Sequence, residues 1–169
     1  MPPTGIPSPP PSSWPSGRRD RLSADPEALF AYGTLRFPEV LRALLRRVPG
    51  RSPAAAAGWR VVCLARRAYP ALVPGHGVAS GCLITDLTVE EWTLLDAFED
   101  DVYRLQRVPL VDGRQGWAYV CEGTAQTTAE SWSAERFAAR HLAAYVANCL
   151  AWRRRYGDGG AGRRPCPPP

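Results

Sequence analysis

The chain has 169 residues, 45% of them apolar and 22% charged, the proportions and size of one ordinary globular domain. Its net charge of +5 sits at the ends: residues 1–26 hold three Arg against two Asp, residues 153–169 hold five Arg against Asp158, and 13 Arg balance 13 acidic groups between them. A neutral body argues against a nucleic-acid surface, and no apolar run reaches the ~18 residues of a membrane span or forms a signal-peptide core, so a cytoplasmic protein is expected.

Residues 1–26 carry eight of the 18 Pro and few apolar anchors. They bury too little to offset chain entropy and are expected to be a disordered Pro-rich tail. Residues 157–169 read the same way, as an Arg/Pro tail, which leaves 27–156 for the fold. Leu29 to Tyr32, closed by Gly33, predicts a first strand. Behind Pro38, the spacing of Val40, Leu41, Leu44, Leu45 and Val48 predicts a helix from Phe37 to Val48, stopped by Pro49-Gly50. Trp59 to Leu64 reads as a strand. Tyr69 to Pro74 reads as a second extended piece, its two Pro suggesting an edge or a bulge, and Val78 to Leu87 as a third strand. Thr88 to Phe98 predicts a short helix, Thr88 and Glu91 forming a capping box. Tyr103–Val111 and Trp117–Cys121 pair as a hairpin across residues 112–116. Finally, Phe137, His141, Tyr145, Cys149, Trp152 and Tyr156 share one face of a helix of about 20 residues; His141 on that stripe reads as a packed, hydrogen-bonded core residue. Short strands with short helices suggest a small closed or half-closed sheet, whereas a doubly wound parallel sheet needs longer crossovers.

The five Cys are widely spaced, without C-x-x-C, and only His76 and His141 accompany them, so no metal site is expected. The first four Cys read as buried small apolar residues. Nucleophile-elbow, phosphate-loop and Rossmann glycine patterns are missing from the sequence.

Two features point to chemistry. On a wheel that starts at Trp92 and turns ~100° per residue, Leu94, Phe98, Leu95 and Trp92 span an apolar arc of roughly 160°, and Glu99 falls inside it if the helix extends that far. A carboxylate on a buried face is costly. An ion pair with an Arg or a helix that ends before Glu99 would explain it; so would a carboxylate held in a pocket as a general base or acid. The second feature is Tyr32-Gly33-Thr34-Leu35, a strand-to-helix turn where Gly33 permits close backbone approach and the N–H groups suit a carboxylate. Tyr69-Pro70-Ala71-Leu72, with a packing glycine at Gly81, completes the pattern.

The stretches FAYGTLRFPEVLRALL (30–45), YPALVPG (69–75), SGCLI (80–84) and LLDAFEDDVYRLQRVPL (94–110), in this order, resemble the gamma-glutamylcyclotransferase-like superfamily, in the AIG2-like branch that includes gamma-glutamylamine cyclotransferases. The resemblance implies an α+β fold, a small mixed β-barrel with flanking α-helices and a long C-terminal helix, over residues 27–156. It implies a cavity in which Tyr32, Gly33, Thr34 and Leu35 hold a gamma-glutamyl group, with Tyr103 and Tyr119 nearby and Glu99 as the catalytic carboxylate. The implied reaction is an intramolecular acyl transfer that releases 5-oxoproline and a free amine without metal or organic cofactor. A non-catalytic small-molecule binding protein on the same barrel is the alternative. Asp100-Asp101 after the Glu, and both tails, depart from the family pattern.

Overall fold

The computed structural model describes residues 21–157, apart from Glu122, Thr124 and Ala125. A 3-10 turn at Arg21–Ala24 precedes strand β1 (Leu29–Ala31), a second turn (Thr34–Arg36) and helix α1 (Pro38–Leu45). Strands β2 (Arg51–Leu64) and β3 (Pro70–Ile84) then lead to helix α2 (Val89–Phe98). Strands β4 (Tyr103–Pro109), β5 (Gln115–Cys121) and β6 (Thr127–Ser131) are followed by helices α3 (Ala134–Arg140) and α4 (Leu142–Gly157).

The six strands form one mostly antiparallel sheet in the order β4-β5-β1-β3-β2-β6, with β5 also pairing to β3. That extra pairing curls the sheet into a half-barrel. β1 is only three residues long; it pairs Ala31 with Cys82 on β3 and Leu29 with Trp117 on β5. Beyond its end β3 meets β5 directly, at Leu72 and Val120. The chain therefore leaves the sheet at Tyr32, where its two neighbouring strands come together. Side chains alternate across the curl. Phe30, Leu72, Leu83, Val108, Ala118 and Val120 fill one cluster, while Leu29, Ala31, Tyr103, Tyr119 and Cys121 join the helices in the other.

Several expectations need correction. Arg21–Ala24 lies inside the expected N-terminal tail, yet it is helical and Arg21 is buried; residues 1–20 and 158–169 lie outside the described residues. Helix α1 ends at Leu45 rather than Val48, because Arg46 turns left-handed at φ 61° and bonds back to Arg42. The pieces at 69–74 and 78–87 are one strand, β3, which is internal rather than an edge. Residues 70–74 pair with β2 in regular register, both Pro included; the irregularity lies just beyond them, where residues 75–77 face Gly58, which takes φ +80°. β6 was not anticipated; its Thr127-Thr-Ala-Glu-Ser131 sequence is polar and mostly exposed, so it carries no buried-strand pattern. The C-terminal helix breaks at His141, which is exposed at the joint of α3 and α4. Cys82, Cys121 and Cys149 are buried, and Cys63 is half-buried.

Candidate active site

Tyr32, Gly33, Thr34, Leu35, Glu99, Tyr103 and Tyr119 all line one cavity, in the opening left where β1 ends. The cavity is narrow and open at one side, with about 30 Å³ of free space within about 350 Å³ of unfilled volume that includes its mouth. Tyr69 and Pro70 complete its wall.

Glu99 owes its position to the end of α2. The capping box forms as expected: Glu91 N–H donates to Thr88 Oγ1 and Thr88 N–H to the Glu91 carboxylate. At the other end Phe98 is the last helical residue, and Glu99 is the cap, extended at φ −69°, ψ 146°. Its N–H still donates to Leu95 O at 3.0 Å and its φ is helical, so its Cβ keeps the helical phase while the chain beyond it turns away. Glu99 is 7% exposed. The wheel's phase therefore holds as far as Glu99, the last residue to which it applies, and aims its side chain inward. Phe98 anchors that cap, packed edge-on against Trp152 and Tyr145 of α4.

The loop wall rests on a close approach. A Cβ on Gly33 would lie 2.9 Å from Pro70 Cγ, so a side chain here would press into the proline ring at the start of β3. Thr34 is buried, and its hydroxyl lies 3.1 Å from Tyr145 Oη, which fastens the loop to α4. Among the described residues, no acceptor is bonded to the N–H groups of Gly33, Thr34 and Leu35; leading amides of a 3-10 turn have no partner within it.

The tyrosine hydroxyls have structural duties. Tyr32 donates to Tyr119 O, Tyr103 to Pro70 O at 2.6 Å, and Tyr119 to Asp96 Oδ1 at 3.0 Å. Burial, then the Glu99 charge, hold the Tyr32 phenol well above its ordinary pKa. Burial, then Asp96 and Glu99, do the same for Tyr119. Both therefore stay protonated donors at neutral pH.

The sequence reading passed over Asp96, 4% exposed and bonded to Tyr119. Its wheel position, roughly 40° past Trp92, lies just outside the apolar arc. Asp100 is half-buried and accepts from Tyr69 Oη at 2.7 Å. A second groove of about 290 Å³ shares Tyr32 and is lined by Trp59, Trp132, Arg36 and Arg60, with no carboxylate in its wall. Among the described residues, no group of three or more His, Cys, Asp or Glu is arranged to hold a metal, and no helix is long and apolar enough to cross a membrane.

A curled sheet with a buried carboxylate beside the loop that leaves its shortest strand defines a class, and sequence comparison gives it a family. Residues 29–136 match the family of gamma-glutamyl cyclotransferase, AIG2-like proteins, and the chain belongs to it. AIG2-like protein C of Arabidopsis thaliana is 38% identical over 84 residues, 49% of each chain. AIG2-like protein D of the same plant is 32% identical over 85 residues, 50% of this chain and 56% of its own. The chain thus spans about half the length of the curated relatives it matches. Two solution structures of Arabidopsis thaliana proteins share the fold at TM-score 0.56. One is 21% identical, covering 78% of this chain and 84% of its own; the other is 23% identical, covering 79% and 93%.

Proposed function

We propose that the protein is a gamma-glutamyl cyclotransferase that closes a gamma-glutamyl amine or amide into 5-oxoproline and frees the amine. The observation that carries this reading is the buried carboxylate of Glu99 in the wall of the cavity that the Tyr32–Leu35 loop closes. Glu99 removes a proton from the substrate's α-ammonium group. The freed amine attacks the γ-carbonyl carbon of the same molecule, and the new C–N bond closes a five-membered ring. Glu99 hands that proton to the leaving nitrogen as the old C–N bond breaks, and then takes the ring nitrogen's second proton, which the freed amine carries away as an ammonium ion. Both reactants belong to one molecule, so the protein's tasks are orientation, proton transfer and stabilisation of the oxyanion.

The Gly33, Thr34 and Leu35 amides are the donors suited to the substrate's carboxylate or oxyanion. Tyr32, Tyr103 and Tyr119 contribute ring walls rather than hydroxyls, since each hydroxyl already donates within the protein. The cavity's free space would hold only a water or two, so the substrate parts its walls on entry. The leaving amine extends toward the groove beyond Tyr32, where Arg36 and Arg60 favour a substituent that carries an anion.

Glu99→Gln tests the reading. Loss of the base should lower kcat for 5-oxoproline release by ~10²–10⁴-fold, with the melting temperature kept or slightly raised because a desolvated charge is gone. A variant as active as wild type would sink the assignment. A chain that binds gamma-glutamyl amines without releasing 5-oxoproline would instead be the binding protein on this barrel.

A further inference from the structure

Arg21 stands eight residues before β1, yet its guanidinium is buried against the Glu99 turn. Nη2 donates to Asp96 O at 2.8 Å, and Nη1 donates to Asp100 O and to Tyr103 O, both at 3.0 Å. Nε lies 2.9 Å from Asp96 Oδ1, an ion pair in which the N–H is not aligned with the acceptor. The guanidinium also faces the Tyr119 ring, 5.3 Å from its centroid. The three carbonyls belong to residues three before, one after and four after Glu99, so one side chain spans the whole turn that carries it. Helix α2 has no basic residue in its own last turn, and helix-terminal carbonyls need donors from elsewhere.

We infer that Arg21 is a positioning residue for the candidate catalytic carboxylate, and that the segment before β1 is thereby part of the active site. This inference rests on the cyclotransferase reading of Glu99. Only a planar, multi-donor cation can reach three carbonyls and a carboxylate at once; a lysine supplies one ammonium point. Arg21 also accounts for Asp96, whose buried charge it offsets while Tyr119 donates to the same oxygen. Without Arg21 the backbone from 96 to 103 loses its common donor, and Glu99 loses its fixed distance to the Gly33 loop. Misplacement of a reacting group by ~1 Å can cost ~10²-fold in rate.

The test uses the full chain with Arg21→Met and the milder Arg21→Lys, beside Glu99→Gln. Three quantities are read: kcat and KM for 5-oxoproline release from a gamma-glutamyl amine, corrected for folded fraction, and amide hydrogen exchange. Both Arg21 variants should speed exchange selectively in residues 96–103 while β1 and β3 stay protected. Both should lower kcat per folded molecule, by ~10²-fold for Arg21→Met and less for Arg21→Lys, with KM changed by less than about threefold. Unchanged exchange at 96–103 overturns the clamp. Faster exchange with unchanged kcat per folded molecule shows a purely structural tie and overturns the positioning role. Full activity in Glu99→Gln, or no 5-oxoproline from the wild type, overturns the underlying reading and the positioning role with it.

Discussion

Asp96 and Glu99 are buried carboxylates three residues apart, and their surroundings separate their work. Asp96 is held by Arg21 and Tyr119 inside the wall, whereas Glu99 lines the cavity. Gly33 is the other residue on which the site turns. Gly33→Val would drive methyl groups into Pro70, whose carbonyl takes the Tyr103 hydroxyl. We expect a loss of ~1–3 kcal/mol in thermal or urea unfolding from the overpacking, with a larger fall in kcat/KM than the lost folded fraction explains. Arg60→Ala should raise KM for gamma-glutamyl compounds whose amine bears a carboxylate and leave KM for uncharged amines nearly unchanged; equal KM changes for both sets would remove the groove from substrate binding. Glu99 and the Tyr32–Leu35 loop could be singled out in the sequence, because each breaks a local pattern: a charge on an apolar arc and a glycine at a strand end. Arg21 could not, because nothing within a few residues of it predicts a partner 82 positions away.

At the scale of elements, α2 and α4 act as a pair. The Thr88–Glu91 cap, reinforced by Arg47 on the Glu91 carboxylate, starts α2, and Phe98 docks its far end on Trp152. Thr88→Ala should cost about 1 kcal/mol of stability with little change in kcat, since the affected end is remote from Glu99. Phe98→Ala should cost ~3–5 kcal/mol and also lower kcat per folded molecule, because the cavity it leaves loosens the cap residue that follows. Circular dichroism melts and product release on the same samples separate the two. The helices and the β4–β5 hairpin were legible from spacing and turn residues. The continuity of β3 was not. Its Gly75-His76-Gly77 stretch reads as a break, but these three residues bulge opposite the single Gly58 of β2 and the ladder resumes on both sides. The break at His141 was equally hidden, since the apolar stripe runs on through α3 and α4 from Phe137 to Trp152.

Across the whole molecule, the interior is set for neutral phenols. Tyr32 and Tyr119 keep their protons well beyond the usual phenol range, chiefly through burial. A folded-state pKa above the unfolded value gives stability that is fully present below the unfolded pKa of about 10 and is lost as pH rises beyond it. Urea midpoints should therefore fall above about pH 10, and the phenolate absorbance of these two residues should appear only with unfolding. Phenolate signal from all six tyrosines in a chain still folded would contradict this.

The fastening of Thr34 to Tyr145 spans 111 positions, and Arg153 reaches back 109 positions to donate to Leu44 O. Contacts so distant along the chain form late, because loop closure precedes any gain from them. On the ribosome, the Gly33 loop and the Glu99 turn emerge well before the helix that fastens them. A nascent chain halted before α4 would carry every proposed substrate-binding and catalytic residue and still lack a formed site, so activity should switch on abruptly once α4 has emerged rather than build up with length.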